Sequence, residues 1–194
     1  MAHDHGPIDA WHMRTPAVKG LAVLACAAAL AVALAPTASS APSSATHTHA
    51  VVATLQIGVV RRLNAIRADH GLSALHPSAA LAAAAAQHSS EMGIDGYFDH
   101  TSANGSAFYT RIAHWYSSAG FSHWSVGENL LWFSPDVGAS AAVEAWMHSP
   151  VHRANILDPL WREVGIGAVH FDDASGAFGG RAVTIVTADF GVRR

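Results

Sequence analysis

Apolar residues recur at Val51, Val52, Leu55, Val59, Leu63 and Ile66, most of them three or four positions apart. That period gathers them on one stripe of a helix. The stretch "DHG" closes the pattern, and Gly71 supplies a stop. A second helix is expected from "HPSAALAAAAAQHSSEM", with Pro77 in its first turn. Its alanine run allows a neighbour to approach closely. "GIDGYFDHTSANG" is dense in Gly, Asp, Ser and Asn and reads as loop. "SAFYTRIAHWYSSAG" predicts a third helix. "SPDVGASAAVEAWMHS" predicts a fourth, with Ser134 and Pro135 as its N-terminal signals. Pro150 ends it, and "PVHRANIL" can start another short helical turn.

The period then changes. "REVGIGAVHF" and "RAVTIVTADFGV" are rich in Val, Ile, Thr and Phe and read as strands, with "DDASGAFGG" as the hairpin loop between them. Helices first and an antiparallel strand pair last give an α+β domain. No internal repeat is present.

The N-terminus follows another logic. Arg14 and Lys19 precede an unbroken apolar run, Leu21 to Ala35, and then comes "PTASSAPSSATHTH". Basic, apolar and small-residue blocks in that order read as a secretory signal peptide. The run has 15 residues, against the roughly 20 a spanning helix needs. An uncleaved membrane anchor is the alternative. Met13 is a more natural start than Met1, because the first 12 residues look unlike a leader. Residues 1–45 are therefore assigned to signal peptide and leader, 46–50 to a linker and 51–194 to the folded domain. Cleavage is expected to leave a mature chain beginning between Ser40 and Thr46. The only cysteine, Cys26, lies inside the apolar run. An exported chain without cysteine must be stable by core packing alone.

Composition supports a packed core, with 51% hydrophobic and 13% charged residues. The formal net charge is −3 and no basic face stands out, which argues against nucleic acid as a partner.

Three segments carry chemistry. "YFDHTSANG" holds His100, "SVGENLLW" puts Glu128 and Asn129 between apolar residues, and "HSPVHRANI" holds His152, Arg153 and Asn155. Glu128 is the most demanding, because a buried carboxylate costs several kcal/mol unless cations or donors meet it. His100, His152 and Arg153 are the expected partners, with a surface pair to Glu144 equally open to Arg153. Asn129 and Asn155 are expected to bond backbone turns. Trp115, Trp124, Trp132, Trp146 and Trp161 suit core packing or the lining of a glycan groove. His88, His114, His123 and His148 read as surface or internally satisfied histidines.

In order along the chain, "LNAIRADHGLSAL", "SSEMGIDGYFDHTSANG", "GENLLW", "AWMHSPVHRANILDPLWREVGIGA" and "VTADFG" resemble the CAP superfamily. That superfamily covers cysteine-rich secretory proteins, antigen 5 and pathogenesis-related proteins, and the resemblance is to its bacterial SCP-like branch. It runs from about Val51 to Val192. It implies an α-β-α sandwich, with a small antiparallel sheet between helices and a central cavity. The family's cavity displays two histidines and two glutamates, and some members bind zinc or another divalent ion there. Carried over, the histidines are His100 and His152 and the first glutamate is Glu128. The position of the second glutamate, three residues after Trp146, is Ser149.

Two imidazoles and a carboxylate suit zinc and leave a fourth position open. The same three groups also make a structural polar network without metal. Three functions follow as expectations. One is an extracellular binding module for a small molecule, lipid, glycan or cell-wall fragment, with or without a divalent ion. Another is a hydrolase with Ser149 as nucleophile, His152 or His100 as base and Glu128 as the orienting acid. The last is a ligand-free structural protein of the cell envelope. The absence of a G-x-S-x-G elbow weighs against an enzyme.

Overall fold

The computed structural model describes residues 44–194. Among them run α1 (Ser44–Asp69), β1 (His76–Pro77), α2 (Ala79–Asp95), α3 (Phe108–Trp115), β2 (Trp124–Phe133), α4 (Ala139–His148), α5 (Pro150–Ile156), β3 (Glu163–Ala174) and β4 (Arg181–Arg193). The strands form one sheet in the order β1-β3-β4-β2. Its long strands are antiparallel, and the short β1 runs parallel to β3.

Side chains alternate across β4, the strand between β3 and β2. Val186, Ala188, Phe190 and Val192 meet Leu55, Val59, Leu63 and Ile66 of α1 and Ala142, Val143 and Trp146 of α4. Val183 and Ile185 turn the other way, against Met92 of α2. Leu81 and Ala84 of α2 pack with Ile112 of α3 and Tyr116. Helices on both faces of the sheet make the expected α-β-α sandwich, an α+β fold.

The alanine run of α2 has a structural reason. A Cβ at Gly165 would lie 2.0 Å from Ala82 N, and one at Gly167 would lie 2.2 Å from Ala85 C. The helix thus rests directly on the backbone of β3, which neither larger helix residues nor side chains on the strand would permit.

Four local expectations need correction. His76 and Pro77 form β1, hydrogen-bonded beside β3, rather than the first turn of α2. The N-cap of α2 is Ser78, in extended conformation. Ser134 and Pro135 precede α4 without capping it; the N-cap is Gly138. β2 escaped the sequence reading, because its polar Glu128 and Asn129 interrupt the alternation that marks a strand. Finally, the linker placed at 46–50 is helical, since α1 begins at Ser44. No Gly or Pro separates Ser44 from Ile57, so nothing stops the helix propagating upstream of its apolar stripe. The leader assignment for residues 1–45 lies outside the described residues except for its last two. No described helix is long and apolar enough to cross a membrane.

Candidate functional site

The site forms where the loop after α2 crosses the edge strand β2. Gly96 ends α2 in a left-handed conformation with φ 70°, which glycine adopts at least cost. The loop that follows is tied down at several points. His88 is fully buried in α2, and its Nε2–H donates to Asp99 O at 2.8 Å. Thr101 N–H donates to Asp99 Oδ1 at 2.7 Å, and Ser102 N–H donates to Ser106 O at 2.9 Å. His100 is thereby presented toward β2.

Glu128 sits in the middle of β2 and is buried. Its Oε1 accepts a hydrogen bond from His100 Nδ1 at 2.7 Å. Its Oε2 is ion-paired with the Arg111 guanidinium, which α3 sends across the layer. Arg111 Nη1 also reaches Ser102 Oγ at 3.2 Å and His100 O at 3.4 Å, so one side chain holds both the carboxylate and the histidine loop. A carboxylate only accepts, so the proton of His100 is on Nδ1 and the lone pair is on Nε2. The His100 side chain keeps 34% of its surface exposed, against 1% for Glu128. The ring is therefore fixed from behind and open in front.

The opposite face of β2 carries Asn129. Its Nδ2 donates to His152 O at 3.1 Å, and its Oδ1 accepts from Asn155 Nδ2 at 2.9 Å. Trp161 Nε1–H donates to Asn155 O at 2.9 Å. Arg67 clamps the far end of α5, donating from Nη1 to Ile156 O at 2.7 Å and to Asp158 O at 2.9 Å. These bonds fix α5 against the sheet edge. The His152 ring is half-buried, and its backbone rather than its imidazole makes the contact to β2. Burial, followed by the His100 charge, lowers its pKa to about 4. Burial also lowers His100, with Arg111 adding to it and Asp99 opposing. Both imidazoles are consequently neutral at pH 7 and close enough to sense one another.

Of the expected partners of Glu128, only His100 reaches it. Arg153 is exposed on α5 and makes no ion pair with Glu128 or Glu144 among the described residues. Arg111 takes that place. Its signal was present as the one arginine of a helix rich in apolar and aromatic residues, "FYTRIAHW". Ser149 is the one-residue junction between α4 and α5, and no described hydrogen bond joins its hydroxyl to His152. His88, expected to be surface or internally satisfied, is buried with its pKa lowered to about 3, chiefly by desolvation. Among the tryptophans, Trp146 and Trp161 are core, while Trp115 is 44% exposed with its indole N–H on Gln87 Oε1.

The donor set does not fit a divalent ion held by three protein ligands. Both oxygens of Glu128 are engaged, one by a guanidinium whose charge would repel a metal. Among the described residues, no three His, Cys, Asp or Glu side chains are placed to hold one ion.

Sequence reading missed a second carboxyl. Asp189 of β4 lies directly opposite Glu128 in the β2–β4 register. It is fully buried, and neither oxygen receives a hydrogen bond from any N–H or hydroxyl of the described chain. Burial and the neighbouring Glu128 charge push its carboxyl well above the ordinary range. Burial raises Glu128 as well, against the opposing pull of Arg111.

A helix-sheet-helix sandwich with a histidine loop bonded to a glutamate of its edge strand matches the architecture expected of the CAP, or SCP-like, class of domain. Residues 60–190 match the cysteine-rich secretory protein family, CAP, and the chain belongs to it. It is 34% identical over 118 residues to the Bacillus subtilis (strain 168) protein YkwD, covering 61% of this chain and 44% of that one. It is 31% identical over 104 residues to the membrane protein YlbC of the same strain, covering 54% of this chain and 28% of that one. The chain thus spans less than half the length of these curated relatives. An extracellular SCP-domain protein of Bacillus anthracis str. Ames shares the fold with a TM-score of 0.61 at 23% identity, over 80% of this chain and 45% of that one. An outer surface protein of Borrelia burgdorferi does so with a TM-score of 0.53 at 20% identity, over 70% of this chain and 90% of that one.

Proposed function

We propose that this protein is an extracellular binding module whose surface at the exposed face of His100, near His152, takes a small uncharged polar ligand of the kind a cell-wall glycan fragment offers. The observation that carries this reading is the fixed His100 ring. Two buried charges, Glu128 and Arg111, are committed to holding one partly exposed imidazole, with its Nε2 lone pair facing outward. Such an investment of buried charge is costly unless the presented group has a task. His152 adds a second neutral imidazole beside it. Toward a ligand His100 Nε2 only accepts, and neutral His152 can donate or accept, which suits hydroxyls and amides better than ions. Phe108 packs edge-on to His100, and Tyr109, half-exposed, packs on Phe108. An aromatic flank of that kind suits the apolar face of a sugar ring. The basic, apolar and small-residue order of the N-terminus and the extracellular SCP-domain protein of similar fold support placing the domain outside the cell.

The test uses an uncharged N-acetylated disaccharide of the cell-wall type as the probe, titrated into nitrogen-15-labelled protein. The imidazole resonances of His100 and His152 are expected to shift together. His152→Ala and His100→Gln should each weaken binding on the order of tenfold, the loss of one hydrogen bond to the ligand. A disaccharide that leaves both rings unmoved would sink this reading.

A further inference from the structure

The structure places two carboxyls and one guanidinium in a closed space and leaves one carboxyl without a donor. Glu128 and Asp189 face each other across adjacent antiparallel strands, the separation at which opposed side chains touch. Like charges directly opposite are unfavourable there. Arg111 is the one cation that meets the pair, and it binds Glu128. On the other side of Asp189, the register partner on β3 is Gly165, which offers no side chain. From α2, the facing groups are backbone and small or apolar side chains over Gly165 and Gly167, with His88 deeper along the helix. From the loop, the charged or titratable groups are His100 and Asp99. Among the described residues, no second cation is available to Asp189.

We propose that Asp189 is a positioning residue: it holds the proton of a shared acid–carboxylate pair, and its O–H donates to Glu128, keeping that carboxylate aligned on His100 and Arg111. Glu128 then receives three donors and remains the single negative charge opposite the single guanidinium. Asp189 is neutral and paired, which removes the orphaned buried acid. The raised carboxyl of Asp189 agrees with that assignment. The same arithmetic explains why the site can be buried at all, since one charge of each sign is far less costly than two negatives and one positive.

The consequence for pH has a definite sign. A carboxyl that keeps its proton when folded makes the folded chain bind more protons than the unfolded one above the ordinary carboxylate range, so its contribution falls as pH rises. The histidines work in the opposite sense. His88, His100 and His152 all have lowered values, and their contribution is lost as pH falls. Of the three, only His100 senses the Asp189 charge directly, so a difference between wild type and variant reports the carboxyl pair together with the His100 it aligns.

Asp189→Asn supplies a neutral donor of the same shape, whereas Asp189→Ala supplies none. Thermal unfolding of wild type, D189N, D189A and E128Q from about pH 5 to about pH 8 tests the assignment. D189N is expected to match wild type at the acidic end and to become the more stable of the two as pH rises. D189A should be less stable than D189N at every pH, and E128Q should be the least stable, because it strands Arg111. Nitrogen-15 spectra should show the Nδ1–H tautomer of His100 kept in D189N and mixed with the other in D189A, a readout that simple loss of packing would not move. A D189N variant as damaged as D189A, a gap to wild type that does not widen with pH, or an E128Q variant milder than D189N would each overturn the assignment and place the charge on Asp189.

Discussion

Arg111→Met should unfold a large fraction of the molecules that wild type keeps folded. Among the described residues, the guanidinium is the only cation meeting a buried pair of carboxyls. Removing one partner of a buried ion pair typically costs about 3–5 kcal/mol, because the other charge stays buried without compensation. Small domains hold about 5–15 kcal/mol in total. Protonation of Glu128 bounds the loss, so the deficit should shrink toward acidic pH. Arg111→Lys keeps the charge but not the fork, and it cannot serve Glu128, Ser102 and the His100 carbonyl together. It should fall between. The sign of the double variant is the sharper check. Arg111→Met with Glu128→Gln removes both charges, and it should be more stable than Arg111→Met alone. Urea unfolding followed by circular dichroism measures all three. A double variant no better than the single would show that packing of the Arg111 stem, rather than charge, holds the site.

The way this site is built also explains which parts of it could be read from the sequence. His100, Glu128 and His152 stood out because each interrupts an apolar or turn-rich stretch with a group that needs a partner. The resemblance to the CAP superfamily then placed them in one cavity. Their roles were harder to see. Glu128 looks like a ligand in sequence, but the structure uses both its oxygens to hold Arg111 and His100. The partner cation comes from α3, not from the neighbouring Arg153, because which cation reaches a carboxylate is decided by how layers stack and not by proximity in sequence. Asp189 was invisible for a related reason. "VTADFG" reads as a strand with one polar interruption, and only the register against β2 reveals that it lies opposite Glu128. Register depends on how distant strands align. At the level of elements, α1, α4, α5, β3 and β4 carry strong periodicity or a clear proline break and were legible. β1 is two residues long and exists only because β3 offers it a partner, so no local pattern announces it.

Gly165→Ala should be nearly as damaging as loss of Arg111, although it adds only a methyl group and no charge. The new Cβ would come within 2.0 Å of Ala82 N and 2.1 Å of Leu81 C. Those are backbone atoms of α2, which cannot rotate aside as a side chain can. The helix must lift from the sheet or the strand must bend. Overpacking of a core costs typically about 1–3 kcal/mol and more where backbone has to move. The displacement would not stay local. α2 carries Leu81, Ala84, Ser89 and Met92 into the core, and Ser89 hydrogen-bonds Thr187 of β4 at 2.8 Å. It also carries His88, whose ring holds the Asp99 carbonyl and through it the His100 loop. A lifted helix therefore loosens His100 without touching it. Gly165→Ala is expected to lower the melting temperature, and in the fraction that folds it should raise the His100 pKa toward its ordinary value as water gains access. By contrast, Gly138→Ala should cost far less, because a Cβ there meets nothing within 4 Å and only the poorer capping of α4 by alanine counts against it. Equal damage from the two substitutions would mean that α2 does not rest on the bare backbone of β3.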